Sequence, residues 1–473
     1  MIMQRSSIEN IYMIAICGTA MGSLAAMFKS QGYHVSGSDD QVYPPMSTFL
    51  ETQGIKILEG FREDHLQSNP DLVIIGNAMS RGNPEVEFVL ERKIPYTSSA
   101  EALKRFFLQG KSSIVVAGTH GKTTTSAITA WLLEFAGKNP GFMIGGIPKN
   151  FNQGFKLSPS NLFVVEGDEY DTSFFDKAAK FFHYLPESVI VNNIEFDHGD
   201  IYSDLDQIKL AFKRLINLIP RNGLLLANND DPNVTEIMSS AFSRVETFGL
   251  SSTAFWNAEN IQFSKEQTSF DIIRDGKRFA SVNTILTGYH NIRNILAATG
   301  VAHFYGVSAA EIRDALPLFK NILKRLEIKA VINGITIYDD FAHHPSKVKS
   351  TIQGLRQRFP DQRIWAVYEP RTATAKMKVM ERNYSLAFDD ADITVFAPLH
   401  LPHKIKPENR LSVESLVEQI RTRNKQVHYL PSVQEIVEFI TQHAHPGDQV
   451  LIMSNGSFDN IHQRLIDRLS SQP

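Results

Sequence analysis

The sequence predicts an α/β chain of three domains with mostly parallel sheets. Three observations predict it. Short apolar, β-branched runs recur along the chain, and most lead through a glycine, asparagine or acidic turn into a helical pattern. Two of those turns, at 18–22 and 118–121, are bracketed by glycines, which suits backbone that approaches a phosphate at a helix N-terminus. A length of 473 residues exceeds what one core serves and sets a prior of about three domains.

Composition narrows the function classes. With 48 basic against 51 acidic side chains, no charge bias supports nucleic-acid or anionic-membrane binding. No stretch approaches the roughly 18 apolar residues of a membrane span. The single cysteine, Cys17, cannot form an internal disulfide, which fits a reducing cytoplasm. Arg5 and the apolar run after it could pass for a signal peptide, but Glu9 and the glycine turn that follows favour a first strand.

In the first unit, residues 11–16 read as strand, 18–22 as glycine turn, 23–30 as helix and 33–37 as a second strand, a Rossmann-like half. Asp39 lies about 20 residues past the first glycine, where a nucleotide ribose is often held. The turn is Gly18-Thr-Ala-Met-Gly22, without the middle glycine of the dinucleotide fingerprint, which counts against a dehydrogenase. Residues 72–76 form another strand, followed by a loop carrying Asn77, Arg81 and Asn83. The polar loop 109–112 sets the first boundary at 111.

The central unit, 112–327, opens on the strand 113–117, the turn Gly118-Thr-His-Gly121 and a helix from Lys122, with Ile128, Trp131, Leu132 and Phe135 on one face and Gly137 ending it. Backbone amides and the helix dipole there converge on one point. Lys122 would hold β- and γ-phosphates without contributing to the core, and the Thr123 hydroxyl would reach magnesium. The loop departs from the common phosphate-loop spacing, since Val116 stands where the first glycine is usual. Strands at 162–165 and 188–191 run into acidic or histidine-bearing segments, placing carboxylates where a phosphate loop needs a magnesium ligand. A helix opening at 288 carries Asn291 and Asn294. The third unit, 328–473, repeats the Rossmann-like alternation, with strands ending at Asp340, before Arg371 and before Ser454.

GTHGKTTT, GTAMG, VYPPMST, GNAMSRGNPEVE, EGDEYDTSFFDK and NNIEFDHGDIY together resemble the Mur ligases, ATP-dependent amide-forming enzymes of peptidoglycan assembly. The resemblance spans nearly the whole chain. It implies that Gly18, Thr19, Ala20, Met21 and Gly22 cradle the diphosphate of a UDP-sugar, with Asp39, Asn77, Arg81 and Asn83 as further contacts. It implies ATP at Gly118, Thr119, His120, Gly121, Lys122, Thr123, Thr124, Asn291, Asn294, Arg325 and Asp340, and Mg2+ at Thr123, Glu166 and His198. Lys122, His198, Arg325 and Asp340 carry over as catalytic residues. Phe212 stands where several relatives have a carbamylated lysine, so that modification is not expected. His343, His344, Arg371, Ser454, Asn455 and Gly456 are the candidates for an incoming peptide.

The implied reaction activates UDP-N-acetylmuramate as an acyl phosphate and joins it to L-alanyl-γ-D-glutamyl-meso-diaminopimelate in murein recycling. The alternative is the alanine-adding branch, with the same acceptor and chemistry but a different amine. Oligomeric state is not encoded in any of these motifs.

Overall fold

The computed structural model describes residues 8–197, 201–423 and 425–471. Its first sheet is wholly parallel, in the order Lys56–Glu59, His34–Asp39, Asn10–Ile14, Leu72–Ile75, Tyr96–Ser98. Strand order reverses beside Asn10–Ile14, the position at which such sheets open a crevice at their carboxyl edge. The 18–22 segment differs from expectation. Helix Thr19–Ser30 begins directly after Gly18, so Thr19 to Gly22 form its first turn rather than a loop.

The central sheet has ten strands among the described residues. Seven run parallel in the order Trp256–Phe263, Arg244–Phe248, Leu224–Asn228, Pro186–Val191, Ser112–Ala117, Leu162–Gly167, Gly141–Met143. Ser112–Ala117 therefore lies between two parallel neighbours, and its Ile114, Val115 and Val116 are fully buried, as a continuous apolar run should be. Thr268–Arg274 and Lys277–Thr284 extend the sheet antiparallel at one edge and Phe155–Lys156 at the other. Helices Lys122–Phe135 and Tyr289–Phe304 pack on each other over one face.

The third sheet runs Glu327–Ile332, Ile335–Asp340, Gln449–Met453, Ile364–Tyr368, Ile393–Phe396, Gln426–Tyr429, antiparallel only at its first pair. One apolar cluster runs from Ile11 and Phe28 of the first sheet's layer through Val115 and Val165 to Phe212 of the central unit. The third unit keeps its own clusters on the two faces of its sheet. Its junction with the central unit includes polar contacts, among them His120 with His344, Thr287 with Gly354 and Arg358 with Ile285. No helix among the described residues is long and apolar enough to cross a membrane.

Candidate active site

Gly118 and Gly121 take φ of +131° and +85°, backbone that favours glycine. The close approach of a neighbouring strand end adds to this. A Cβ on Gly118 would meet Asn192 and the Asn193 amide at 3.0 Å, and one on Gly121 would meet Asn192 and Asn294 at 2.8 Å. The Thr119 and His120 amides donate to Asn193 at 3.0 and 2.7 Å, which fixes the loop. The first-turn amides of Lys122–Phe135 are left as the anion-facing donors, with buried Thr124 in that turn.

Lys122 Nζ donates to the Gly118 carbonyl and to Glu169 Oε2, both at 2.8 Å. Burial pulls its pKa down, but Glu169, Asp168 and Glu166 together raise it on balance, so it stays an ammonium. Glu169 is 1% exposed; the lysine thus has a structural partner that the sequence did not reveal. Thr123 Oγ1 donates to Glu166 Oε2 at 3.2 Å, and the Gly145 amide holds Oε1 at 2.7 Å. Burial pushes the Glu166 carboxyl up, against the Gly145 amide, Lys122 and Arg325. A hydroxyl and an oriented carboxylate at the mouth of a phosphate loop form an oxygen donor set that fits magnesium. His198 lies outside the described residues.

The main cavity runs from Ala20, Met21 and Asn77 of the first unit, past Lys122 and Glu166, to Arg325 at the end of the central unit and Phe341 of the third. A second cavity beyond the loop is lined by Asn192, Asn228, Asp230, Arg293 and Asn294. Asn294 Oδ1 accepts from Thr125 at 3.1 Å and its amide donates to Asn291 Oδ1 at 3.2 Å. Asn291 itself turns back to the Thr287 carbonyl at 2.8 Å.

Asp340 accepts from the Leu326 and Ala342 amides at 2.7 and 2.8 Å. It thereby fixes the backbone next to Arg325, whose guanidinium lies over the Phe341 ring. His343 Nδ1 lies 2.9 Å from the Phe341 carbonyl, and its own carbonyl accepts from Tyr368 and Tyr384. His344 meets the His120 ring of the phosphate loop at 3.0 Å. Both histidines line the main cavity, and burial pushes both rings down to about 4, so they are neutral at pH 7.

Arg371, Ser454 and Gly456 do come together, around a residue the sequence reading passed over. Buried Glu369 accepts from Ser454 Oγ at 2.5 Å and pairs with Arg371 Nη1 at 3.5 Å. Gly456 has its amide on Ser454 Oγ at 3.0 Å, and the Arg371 guanidinium occupies the space a Cβ there would need. Asn455 Oδ1 is buried and unpartnered among the described residues.

In the first unit, Asp39 accepts from the Cys17 and Gln41 amides at 2.8 and 3.0 Å, bracing the approach to Gly18. Gly22 makes room for Met46. Asn77 reaches the Asp171 carbonyl of the central unit at 3.4 Å. Arg81 and Asn83 make local contacts. Arg81 pairs with Glu87 at 2.9 Å on the surface, and Asn83 caps helix Pro84–Arg92 by accepting from Glu85 and Val86.

Family models match three consecutive stretches: the Mur ligase family catalytic domain over residues 10–111, the Mur ligase middle domain over 116–302 and the Mur ligase glutamate ligase domain over 324–456. The chain belongs to the Mur ligase family. It is 40% identical to a UDP-N-acetylmuramate–L-alanyl-γ-D-glutamyl-meso-2,6-diaminoheptandioate ligase of Escherichia coli strain K12, over 98% of each chain. The protein of the same name from Haemophilus influenzae is 43% identical over 98% of this chain and 99% of its own. A UDP-N-acetylmuramate–L-alanine ligase of Acetivibrio thermocellus is 33% identical over 96% and 95%. Among solved structures, a murein peptide ligase from Psychrobacter arcticus aligns with a TM-score of 0.72 at 35% identity, covering 98% of this chain and 99% of that one.

Four residues of this Mur ligase escaped the sequence reading: Glu169, Glu195, Lys347 and Glu369. Glu169 and Glu195 stand in acid-rich runs in which spacing alone does not single out a member. Glu369 sits two residues before Arg371 at the end of a buried strand, and that adjacency was a usable signal. Lys347 lines both larger cavities and a third one beside Asp340, a placement only the tertiary fold creates.

Proposed function

We propose that this Mur ligase uses ATP to join L-alanyl-γ-D-glutamyl-meso-diaminopimelate to UDP-N-acetylmuramate, a cytoplasmic step of murein recycling. The observation that carries the peptide over L-alanine is full-length identity of 40% and 43% to two ligases named for that tripeptide, against 33% to a ligase named for L-alanine. The Glu369–Arg371 pair against Ser454 and Gly456 offers a carboxylate for an ammonium and a planar guanidinium for a carboxylate, groups that the amine substrate carries. We take the domains as 1–111 for the UDP-sugar, 112–327 for ATP and 328–473 for the peptide.

A carboxylate does not form an amide at neutral pH because oxide is its leaving group. Transfer of the γ-phosphoryl to the muramoyl carboxylate gives an acyl phosphate and ADP. The peptide amine then attacks the acyl carbon and phosphate departs. Lys122 and Arg325 flank the transferring phosphoryl from the two ends of the central domain's chain and offset its charge. Thr123 and Glu166, with His198, would hold magnesium, which supplies further charge neutralisation at the phosphates. The loop amides from Gly118 to Thr124 orient the phosphates, Asn294 and Asn291 support the nucleotide side, and Asp340 keeps Arg325 in place. Gly18 to Gly22, Asp39 and Asn77 serve the UDP-sugar, whereas Arg81 and Asn83 serve their own helix.

Phosphate release from ATP with UDP-N-acetylmuramate and each amine at equal concentration tests the reading. Faster turnover with the tripeptide is expected. Preference for free L-alanine would assign the chain to the alanine-adding branch, and turnover independent of either substrate would remove the ligase reading.

A further inference from the structure

The His120 side chain is available for a role that its backbone does not need. With its amide committed to Asn193, the loop projects the imidazole across the domain junction. His120 Nε2 lies 3.0 Å from His344 Nδ1. Glu195 Oε2 lies 3.7 Å from each of these nitrogens, and the Ser346 hydroxyl donates to the same oxygen. His344 is 5% exposed, and its other ring nitrogen has no partner among the described residues.

Two of the three edges of this triangle are too long for hydrogen bonds. They suit a different occupant. Ligand atoms 2.0–2.1 Å from a tetrahedral zinc ion lie roughly 3.3 Å apart, and edges of 3.0, 3.7 and 3.7 Å bracket that value. Among the described residues this is the one group of three histidine, cysteine or acidic side chains whose ligand atoms all lie within 4.8 Å. Two imidazoles with one carboxylate form a donor set that suits zinc-class ions and is a poor match to magnesium, which takes oxygens. The Thr123–Glu166 pair is the oxygen set. The two sets share no residue.

We propose that His120, Glu195 and His344 form a second metal site, which takes a zinc-class divalent ion and ties the third domain to the phosphate loop. Its three ligands come from the loop before helix Lys122–Phe135, from the segment after strand Pro186–Val191 and from the residue capping helix Pro345–Arg358. An ion there couples loop position to domain position, because neither His120 nor His344 can leave without losing a ligand bond.

The test is Co2+ titration of the metal-freed full chain, in excess Mg2+ and without nucleotide, UDP-sugar or amine, followed by visible d–d absorption. A saturable band that Zn2+ displaces is expected, lost in both His120→Asn and His344→Ala and kept in Glu166→Gln. Zn2+ should also raise the thermal midpoint of the wild-type chain and leave that of His120→Asn unmoved. His120→Asn is the conservative change on a loop, so it decides the matter if His344→Ala folds poorly. Absence of a saturable band, its persistence in His120→Asn, or its loss in Glu166→Gln would overturn the proposal. No step of the assay uses ligase activity, so the outcome is independent of the function proposed above.

Discussion

Two strand ends of this molecule are built to the same plan, with a buried glutamate holding a basic side chain against a glycine turn. In the central domain Glu169 grips Lys122 at 2.8 Å beside Gly118. In the third, Glu369 stands 3.5 Å from Arg371 beside Gly456, and gives its shorter bond to Ser454. The tight pair holds a cation that a strong anion such as a triphosphate would have to draw away under the proposed function. The looser pair leaves both charges addressable, which suits a substrate carrying an ammonium and a carboxylate together. Similar parts thus differ in how completely the glutamate is satisfied, and under the proposed function they would serve different ligands.

The largest expected effect comes from removing the tight pair's cation. Lys122→Ala should lower kcat/KM for amide synthesis by about 10³-fold or more. It should also destabilise the fold, contrary to the sequence expectation that Lys122 is free of structural duty, because buried Glu169 loses its 2.8 Å ammonium partner, at a cost of up to about 3–5 kcal/mol. Adding Glu169→Gln should recover most of the thermal midpoint and none of the activity. If Lys122→Ala melted like wild type, the pair would be no structural element.

The looser pair should separate substrates instead. Arg371→Ala and Glu369→Gln are each expected to raise the KM for the tripeptide by roughly 10- to 100-fold, the value of a hydrogen bond to a charged group. KM for ATP should be unchanged. Equal effects on both substrates would mean that the cluster only holds the third domain's loops together.

Most of the fold was legible because its signals are local. Buried runs such as Ile114 to Val116 flanked by glycine turns identify parallel strands, and GKTTT identifies a helix N-terminus. The first-domain turn departs from expectation for a local reason too: Gly22 looks like a loop glycine, but it is helical and small to admit Met46. Asn83 and Arg81 were ambiguous in the sequence because a cap and a ligand contact use the same residue types. What stayed hidden was pairing across long separations. Glu169 with Lys122, Glu195 with His120 and His344, and Lys347 at three cavities arise from strand order, which no spacing in the chain encodes.

The two glycines sharpen the comparison further. Gly121→Ala forces an alanine into left-handed backbone, at about 1–2 kcal/mol, and pushes on Asn192 and Asn294. ATP affinity should therefore fall by roughly 5- to 30-fold, with a lower thermal midpoint. At Gly456 the obstacle is the far end of the Arg371 side chain, which can swing away. Gly456→Ala should therefore affect only tripeptide KM, and more weakly than Arg371→Ala. A loss of ATP affinity in Gly456→Ala would contradict the separation of the two strand ends.

The smallest expected effect concerns a cation that follows neither pattern. Among the described residues no carboxylate lies within ion-pair distance of Lys347, although it faces the phosphate and nucleoside cavities. Burial pulls its pKa down to about 8, with Asp340 opposing and Arg325 reinforcing, and the His290 ring facing it is held neutral by burial and by Lys347 itself. Because the folded value lies below the ordinary 10.5, the charged form is disfavoured in the fold, and Lys347 contributes stability that grows as pH rises from about 8 towards 10.5. Ligand binding has the opposite sign. A triphosphate favours the ammonium and raises its pKa, so ATP binding takes up a proton above pH 8 and weakens as pH climbs from 7 to 9, by up to roughly tenfold. Titration calorimetry in two buffers of different ionisation enthalpy reads the proton uptake directly. Lys347→Arg should flatten the profile at the low-pH affinity and Lys347→Met at the high-pH affinity, whereas a wild-type profile in both variants would place the titrating group elsewhere.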